Sequence, residues 1–404
     1  MQSIAVIGAG TMGSGIAQLA AVHGCNVRLI DVSREVLSRA VQSVGKNLDR
    51  LVDKGRMTPA DRDAAAARIQ VSETVQGIGP VELAIEAVIE DLPLKQGIFR
   101  DLDANAPPGA TLATNTSSLP ISRIAEAVRD RSRVIGMHFF NPAPLMPLVE
   151  VIAGDNSDRS RVQAAADLAR SWGKVPVIAR DTPGFIVNRV ARGFYLEGLR
   201  LLGEGVAGID EIDFVMKKHG GFRMGPFELM DLVGLDVNLA VSTSVWEQMG
   251  RLPRFAPHEI QQKLVASGRL GRKTGRGFYS YAKEHPLPAY LVVRGSFVLN
   301  PKLSDTLQAF ASRAGATSAN GTEQLIFARV LCAVLNEAAF ALDDQVASSE
   351  DIDTAMIKGT NYPRGPLAWA DEIGLRTVRG TLKALNETVS DNRYAPAKLF
   401  AEAF

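Results

Sequence analysis

The chain has 404 residues, enough for two or three domains that each bury a core of their own. Hydrophobic residues make up 46% and charged residues 22%, and 45 Lys plus Arg against 44 Asp plus Glu leave a net charge of +1. No basic tail or charge block stands out, which argues against nucleic-acid and membrane-surface binding.

The first third alternates strand and helix signals. Ile4-Ala5-Val6-Ile7 is a short β-branched run that ends in Gly8-Ala9-Gly10-Thr11-Met12-Gly13. Met12 to His23 can form a helix, and Val27-Arg28-Leu29-Ile30-Asp31 is a second strand. Glycines between a strand and a helix permit a tight turn and close approach of a pyrophosphate, with the helix N-terminus facing the phosphates. Asp31, 18 residues past Gly13, is placed to accept from ribose hydroxyls and repel a 2′-phosphate, favouring NAD over NADP. Arg34 is near enough to work against that preference.

A long helix follows from Ser33 to about Lys54, with Val36, Leu37, Ala40, Val41, Val44, Leu48 and Leu51 marking one face. A second is entered by Thr58-Pro59, with proline at the first helical position. Further strands are expected at 83–86, 111–114, 134–137 and 148–151. The pattern predicts a doubly wound sheet.

Thr114-Asn115-Thr116-Ser117-Ser118 ends one of these strands and brings hydroxyl and amide groups to the sheet edge where ligands gather. Ser118 could instead cap a helix starting near Pro120. Met137-His138-Phe139-Phe140-Asn141-Pro142 ends the next strand, and Glu150 lies in Leu148-Val149-Glu150-Val151. A reversal centred on Ala143-Pro144, stiffened by Pro142, Pro144 and Pro147, sets His138 opposite Glu150. A carboxylate beside one ring nitrogen fixes the tautomer and makes the other nitrogen a better base. A dinucleotide binder carrying such a pair points to hydride transfer with histidine handling the proton.

After Arg180-Asp181-Thr182-Pro183-Gly184 the chain reads as nearly all helix to about Tyr281. Asn188, in the apolar run 185–188, needs a polar partner that a substrate oxygen would provide. Residues 282–322, with Pro286, Pro288 and Pro301, read as a linker with some local structure. From Glu323 the helical pattern returns as a repeat: Arg189, Glu197, Ile212, Asp213, Met216, Gly225, Pro226, Asp231, Gly234 and Leu235 recur 140 residues later. Asn188 is replaced by Ala328, so the second copy is expected to be non-catalytic.

Cys25 and Cys332, far apart, read as reduced core thiols, and no metal site is expected. No apolar run is read as approaching the roughly 20 residues that cross a bilayer. A first strand at Ser3-Ile4 leaves no room for a signal or transit peptide, so a cytoplasmic location is expected.

Taken together, these motifs resemble the 3-hydroxyacyl-CoA dehydrogenase family. The carriers are Gly8 to Gly13, Asn115-Thr116-Ser117-Ser118, His138-Phe139-Phe140-Asn141-Pro142, Asp181-Thr182-Pro183-Gly184-Phe185, Met224-Gly225-Pro226-Phe227-Glu228-Leu229 and Gly271 to Tyr279. The resemblance implies an α/β Rossmann-type domain with a long helical excursion at 1–181 and an all-α C-terminal domain at 182–281. A linker at 282–322 and a second, non-catalytic copy of the helical domain at 323–404 complete the expected organisation.

It further implies NAD-dependent oxidation of an (S)-3-hydroxyacyl-CoA, with His138 as base and Glu150 as its orienting partner. Ser117 and Asn188 would hold the substrate's 3-oxygen and thioester carbonyl. NAD contacts are implied at Gly8, Gly10, Thr11, Met12, Gly13, Asp31, Glu90, Lys95, Asn115 and Lys273. The helical excursion would clasp coenzyme A, with Ser43, Arg50 and Lys54 for its phosphates and pantetheine. In short family members the helical domain forms the dimer interface, so either a homodimer or an intramolecular pseudo-dimer is implied. Residues 221–225 and 236–241 are most similar to the branch of phenylacetate degradation that acts on 3-hydroxyadipyl-CoA. The 3-hydroxybutyryl-CoA branch of fatty-acid degradation is the near rival. Arg223 and Arg254 are conceivable partners for a second carboxylate. The alternatives are a dehydrogenase of free 3-hydroxy acids and a non-catalytic NAD-binding structural protein on the same fold.

Overall fold

The computed structural model describes residues 3–283, 285–290, 295 and 301–402, which fall into two compact units, Met1–Phe185 and Ile186–Phe404. In the first unit the order is β1 (Ser3–Ile7), α1 (Thr11–Val22), β2 (Asn26–Ile30), α2 (Arg34–Asp53), α3 (Pro59–Ala67), β3 (Ile69–Ser72) and β4 (Leu83–Glu86). There follow α4 (Leu92–Asn105), β5 (Thr111–Thr114), α5 (Ile121–Ala125), β6 (Val134–Phe139), β7 (Leu148–Ala153), α6 (Arg159–Ser171) and β8 (Val175–Arg180). The eight strands form one sheet in the order β3-β2-β1-β4-β5-β6-β7-β8. The first six of these run parallel, and β7 turns back antiparallel to β6. Strands β1, β4, β5 and β6 are buried along nearly their whole length, which is why they read as continuous apolar runs.

Both edge strands escape the sequence reading. Ile69-Gln70-Val71-Ser72 is half polar and half exposed, and β8 carries Pro176, a residue that an edge strand tolerates. In α2 the buried stripe is Leu37, Ala40, Val44 and Leu48, whereas Val41 is 46% exposed. Val41 sits off the stripe by a further 100° step, so the expected face is narrower than its apolar residues suggest. Ser33 caps α2 by accepting from Val36 N, and Thr58 caps α3 with Pro59 at its first position. Ser118 does not cap α5. Both oxygens of Asp181 do so instead, accepting from Ile121 N at 2.9 Å and Ser122 N at 2.7 Å.

The second unit begins with α7 (Val187–Gly203), α8 (Ile209–Lys218), α9 (Pro226–Val233), α10 (Leu235–Gln248) and α11 (Glu259–Ala266). A small hairpin of β9 (Tyr279–Ser280) and β10 (Leu287–Pro288) precedes α12 (Pro301–Arg313). The chain closes with α13 (Gly321–Asp343), α14 (Ser349–Thr360), α15 (Pro366–Ile373), α16 (Leu375–Asn386) and α17 (Lys398–Ala401).

The 140-residue offset is realised in three dimensions. Asp213 accepts from Phe227 N and Glu228 N, and Asp353 accepts from Leu367 N and Ala368 N in the same way. Helices α7 and α13 pack on each other where a Cβ on Gly193 would lie 2.8 Å from the Ala333 carbonyl. Gly193 and Ala333 are themselves 140 apart, so the repeat mates meet, as they do at a two-fold axis.

Two expectations need correction here. The span 282–322 is not a linker throughout: Leu303, Leu307 and Phe310 of α12 are buried at i, i+4, i+7 spacing, and α12 packs on α13 and α16. Residues 284, 291–294 and 296–300 of that span lie outside the described residues. The chain also holds an apolar stretch long enough to cross a bilayer, in α13. Its apolar window is 83% buried against neighbouring helices, which explains an apolar surface on every side of the helix.

Candidate active site

The glycine-rich loop is shaped by two contacts and one opening. A Cβ on Gly8, at φ +97°, would lie 2.8 Å from the Ala87 carbonyl oxygen, and one on Gly13 would lie 1.8 Å from that of Gly8. A Cβ on Gly10 would meet nothing within 4 Å. The first turn of α1, which includes Thr11, Met12 and Gly13, has no side-chain cap, so its amides can receive a diphosphate. Asp31, just past β2, accepts from Ala9 N at 2.9 Å and Ser33 N at 3.0 Å, fixing its carboxylate beside the loop. These residues fit a dinucleotide. Arg34 is paired with Glu73 at 2.8 Å, which engages the cation that could have favoured a 2′-phosphate.

His138 and Glu150 face each other in the β6–β7 register, as the symmetric reversal requires. The Nδ1 of His138 lies 2.7 Å from Glu150 Oε2, and the two residues are 6% and 0% exposed. A carboxylate only accepts, so the proton sits on Nδ1 and Nε2 carries the lone pair. Phe140 packs on the imidazole, with ring centroids 4.5 Å apart.

The reversal is held by residues that the sequence reading did not single out. Lys174 donates to the carbonyls of Ala143 at 2.7 Å and Met146 at 2.8 Å, and burial pushes its ammonium down to about 8. On the other side Gly15 lets α1 approach, since a Cβ there would already be 3.2 Å from Pro144 Cδ. Replacing Lys174 by Met strips two carbonyls of their donor and should cost about 1–3 kcal/mol of stability. Because the reversal sets the His138–Glu150 register, kcat should also fall, by up to about 10²-fold. Thermal unfolding and steady-state rates check both, and a variant unchanged in each would mean the prolines hold the turn alone.

The edge formed by β4 and β5 carries a connected polar set. Glu90 accepts from Ser117 N at 2.6 Å, Ser117 Oγ at 3.0 Å and Thr116 Oγ1 at 2.9 Å. Lys95, 1% exposed, is committed to Glu86 at 2.6 Å, to the Val88 carbonyl at 3.3 Å and to Glu90 at 3.4 Å. Its three protons are thereby engaged, so its reach toward a cofactor runs through Glu90. The sequence alone could not place Glu86 beside it. Asn115 Oδ1 accepts from Phe139 N at 2.8 Å, tying the end of β5 to the residue after His138.

Between α1, α2 and the reversal lies a cavity of about 710 Å³. Ser43, Arg50 and Lys54 all line it, and so do Gly10 and Thr11. Arg39, Asn47 and Arg56 line it too and were not anticipated. Positions 43, 47, 50 and 54 recur at helical spacing, a polar stripe on α2 that could have been read from the sequence. The described lining holds four cations and no carboxylate, which suits a polyanion.

In the helical unit, Asn188 lies in the first turn of α7, and its carbonyl accepts from Arg192 Nε at 2.9 Å. Lys273 pairs with Asp236 at 2.6 Å. Arg254 pairs with Glu337 at 2.7 Å and stacks on Phe340, so it is not available to a second carboxylate; Arg223 is exposed.

Comparison with known proteins agrees with this geometry. The model of the 3-hydroxyacyl-CoA dehydrogenase NAD-binding domain matches residues 3–182, and that of the C-terminal domain matches 184–281 and 325–404. The chain is 37% identical to the 3-hydroxyadipyl-CoA dehydrogenase of Escherichia coli K12 over 461 residues, covering 100% of this chain and 97% of the relative. It is 39% identical to the 3-hydroxybutyryl-CoA dehydrogenase of Clostridioides difficile, covering 69% of this chain and 99% of that one. Among solved structures, a 3-hydroxybutyryl-CoA dehydrogenase from Escherichia coli K12 superposes with a TM-score of 0.88 at 36% identity, covering 99% of this chain and 98% of its own.

Proposed function

On the premise that this chain belongs to the NAD-dependent 3-hydroxyacyl-CoA dehydrogenase family, we propose that His138 is its general base and Glu150 the partner that orients it. The buried 2.7 Å contact between them carries the reading. With Nδ1–H committed to Glu150, Nε2 takes the proton of the substrate's 3-hydroxyl, and the buried carboxylate stabilises the imidazolium that results. NAD, when bound, supplies the hydride acceptor for C3. Loss of that proton and that hydride leaves the C3–O double bond of the 3-ketoacyl-CoA.

Ser117 and Asn188 are assigned to the 3-oxygen and thioester carbonyl. Ser43, Arg50 and Lys54, joined by Arg39 and Arg56, are assigned to coenzyme A, supported by the cation-lined cavity beside the glycine loop. Asp31, Glu90, Asn115, Lys95 through Glu90, and Lys273 are assigned to NAD. The helical segment from Ala328 onward is read as non-catalytic, because a methyl group replaces the amide of Asn188. The substrate is read as 3-hydroxyadipyl-CoA or 3-hydroxybutyryl-CoA, in phenylacetate or fatty-acid degradation.

The test is NADH oxidation with acetoacetyl-CoA and with 3-oxoadipyl-CoA, repeated with NADPH. Turnover of either thioester with NADH, and far weaker turnover with NADPH, is expected. Activity on free 3-oxo acids alone would replace the thioester reading. Binding of NADH with turnover of nothing would favour a structural protein.

A further inference from the structure

Among the described residues, the buried arginines Arg133, Arg189 and Arg329 each have a carboxylate partner, and Arg192 has none. Arg192 is 3% exposed. Its Nε donates to the Asn188 carbonyl at 2.9 Å, and Nη1 donates to the Asn238 carbonyl at 3.1 Å and Ser242 Oγ at 2.8 Å. The guanidinium lies over the Tyr195 ring, 4.9 Å from its centroid. Nη2 donates to nothing among the described residues. Nearby, the buried hydroxyl of Tyr362 has no hydrogen-bond partner either. The ionisable groups that feel the Arg192 charge are the two phenols of Tyr195 and Tyr362, and neither is an anion at neutral pH.

A fixed positive charge buried without a counter-charge is costly, and a tie between two helices could be made by a neutral side chain at far lower cost. A cation and an orphaned donor with no anion between them suit a carboxylate brought by a ligand. The position is informative. Arg192 sits one helical turn, about 5.4 Å, beyond Asn188 on α7. A carboxylate three carbons past C3 of an acyl chain reaches over a similar span. Arg192 also grips Asn238, inside the 236–241 segment of α10.

We propose that Arg192 is the specificity-determining residue for a second carboxylate at the far end of the acyl chain, so that dicarboxylic 3-hydroxyacyl-CoA thioesters are preferred. This rests on the dehydrogenase reading above and on the placement of Asn188 at the thioester substrate.

The test compares 3-oxoadipyl-CoA with 3-oxohexanoyl-CoA, which has the same chain length and ends in a methyl group. Wild type should have the higher kcat/KM on the dicarboxylic thioester. In Arg192→Gln the ratio of the two kcat/KM values should fall about 10²-fold, and Arg192→Lys should recover part of it. If both thioesters lose activity together in Arg192→Gln, the residue is only a helix tie and the proposal fails. If Arg192→Gln does not fold, the wild-type ratio decides, and a preference for 3-oxohexanoyl-CoA overturns the proposal. Turnover of monocarboxylic thioesters without dicarboxylic preference would sink this inference alone, whereas turnover of no 3-ketoacyl-CoA would sink the dehydrogenase reading with it.

Discussion

His138→Gln is expected to lower kcat by about 10²–10⁴-fold while the protein still binds NADH. The glutamine amide can donate to Glu150 in place of Nδ1–H, so the buried carboxylate, 0% exposed, keeps a partner and the fold should survive. What is lost is the lone pair of Nε2, the one feature that lets the side chain take a proton from the 3-hydroxyl. The partner variant probes the same pair from the other side. In Glu150→Gln the amide NH₂ can donate to Nδ1, which drives the imidazole proton onto Nε2 and blocks the base. A fall of similar order is expected there. Steady-state rates with acetoacetyl-CoA and NADH fluorescence titration check both variants. If either turns over near the wild-type rate, the proton is handled by another group.

The pair was legible because its signal is local and symmetric. His138 and Glu150 are each six residues from Pro144, so a tight reversal fixes their register without any knowledge of the rest of the fold. The phosphate loop was legible for a related reason, since strand, glycines, helix and Asp31 follow one another within 31 residues. What escaped depends on partners distant in sequence. Lys174 serves carbonyls about 30 positions earlier, and Asp181 caps a helix 60 residues before it. Nothing around either residue announces the role. The edge strands β3 and β8 lack an apolar run because one flank of each has no strand beside it. Helix α13 misled in the opposite sense: its apolar character belongs to a helix surrounded by others. Arg192 reads as an ordinary surface arginine in the sequence, and only its burial without a carboxylate sets it apart.

Glu197→Gln is expected to destabilise the helical unit by about 3–5 kcal/mol, the range for breaking a buried ion pair by removing one partner. Arg189 pairs with Glu337 at 2.6 Å, and their repeat mates Arg329 and Glu197 pair at 2.6 Å, so the α7–α13 contact is held by the same bridge used twice. Glu197 is the more heavily committed of the two acids, with Tyr394, Arg200 and Arg393 also against it. Burial pushes its carboxyl up, but Arg329, Arg200, Arg393 and the Tyr394 hydroxyl outweigh that and bring it down to about 2. A folded value below the ordinary 4.5 means a contribution present in full above pH 4.5 and lost as pH falls toward 2. That contribution is about 3 kcal/mol by linkage, in line with the mutational figure. The two stability curves should therefore lie far apart at neutral pH and converge between pH 4.5 and 2, because protonation does to the wild type what the substitution has already done. Denaturant unfolding across that range separates the cases. A gap that persists at acid pH would mean the glutamine is simply badly packed, while the absence of a gap at neutral pH would mean that packing of Gly193 on Ala333 holds the two helices without the bridge.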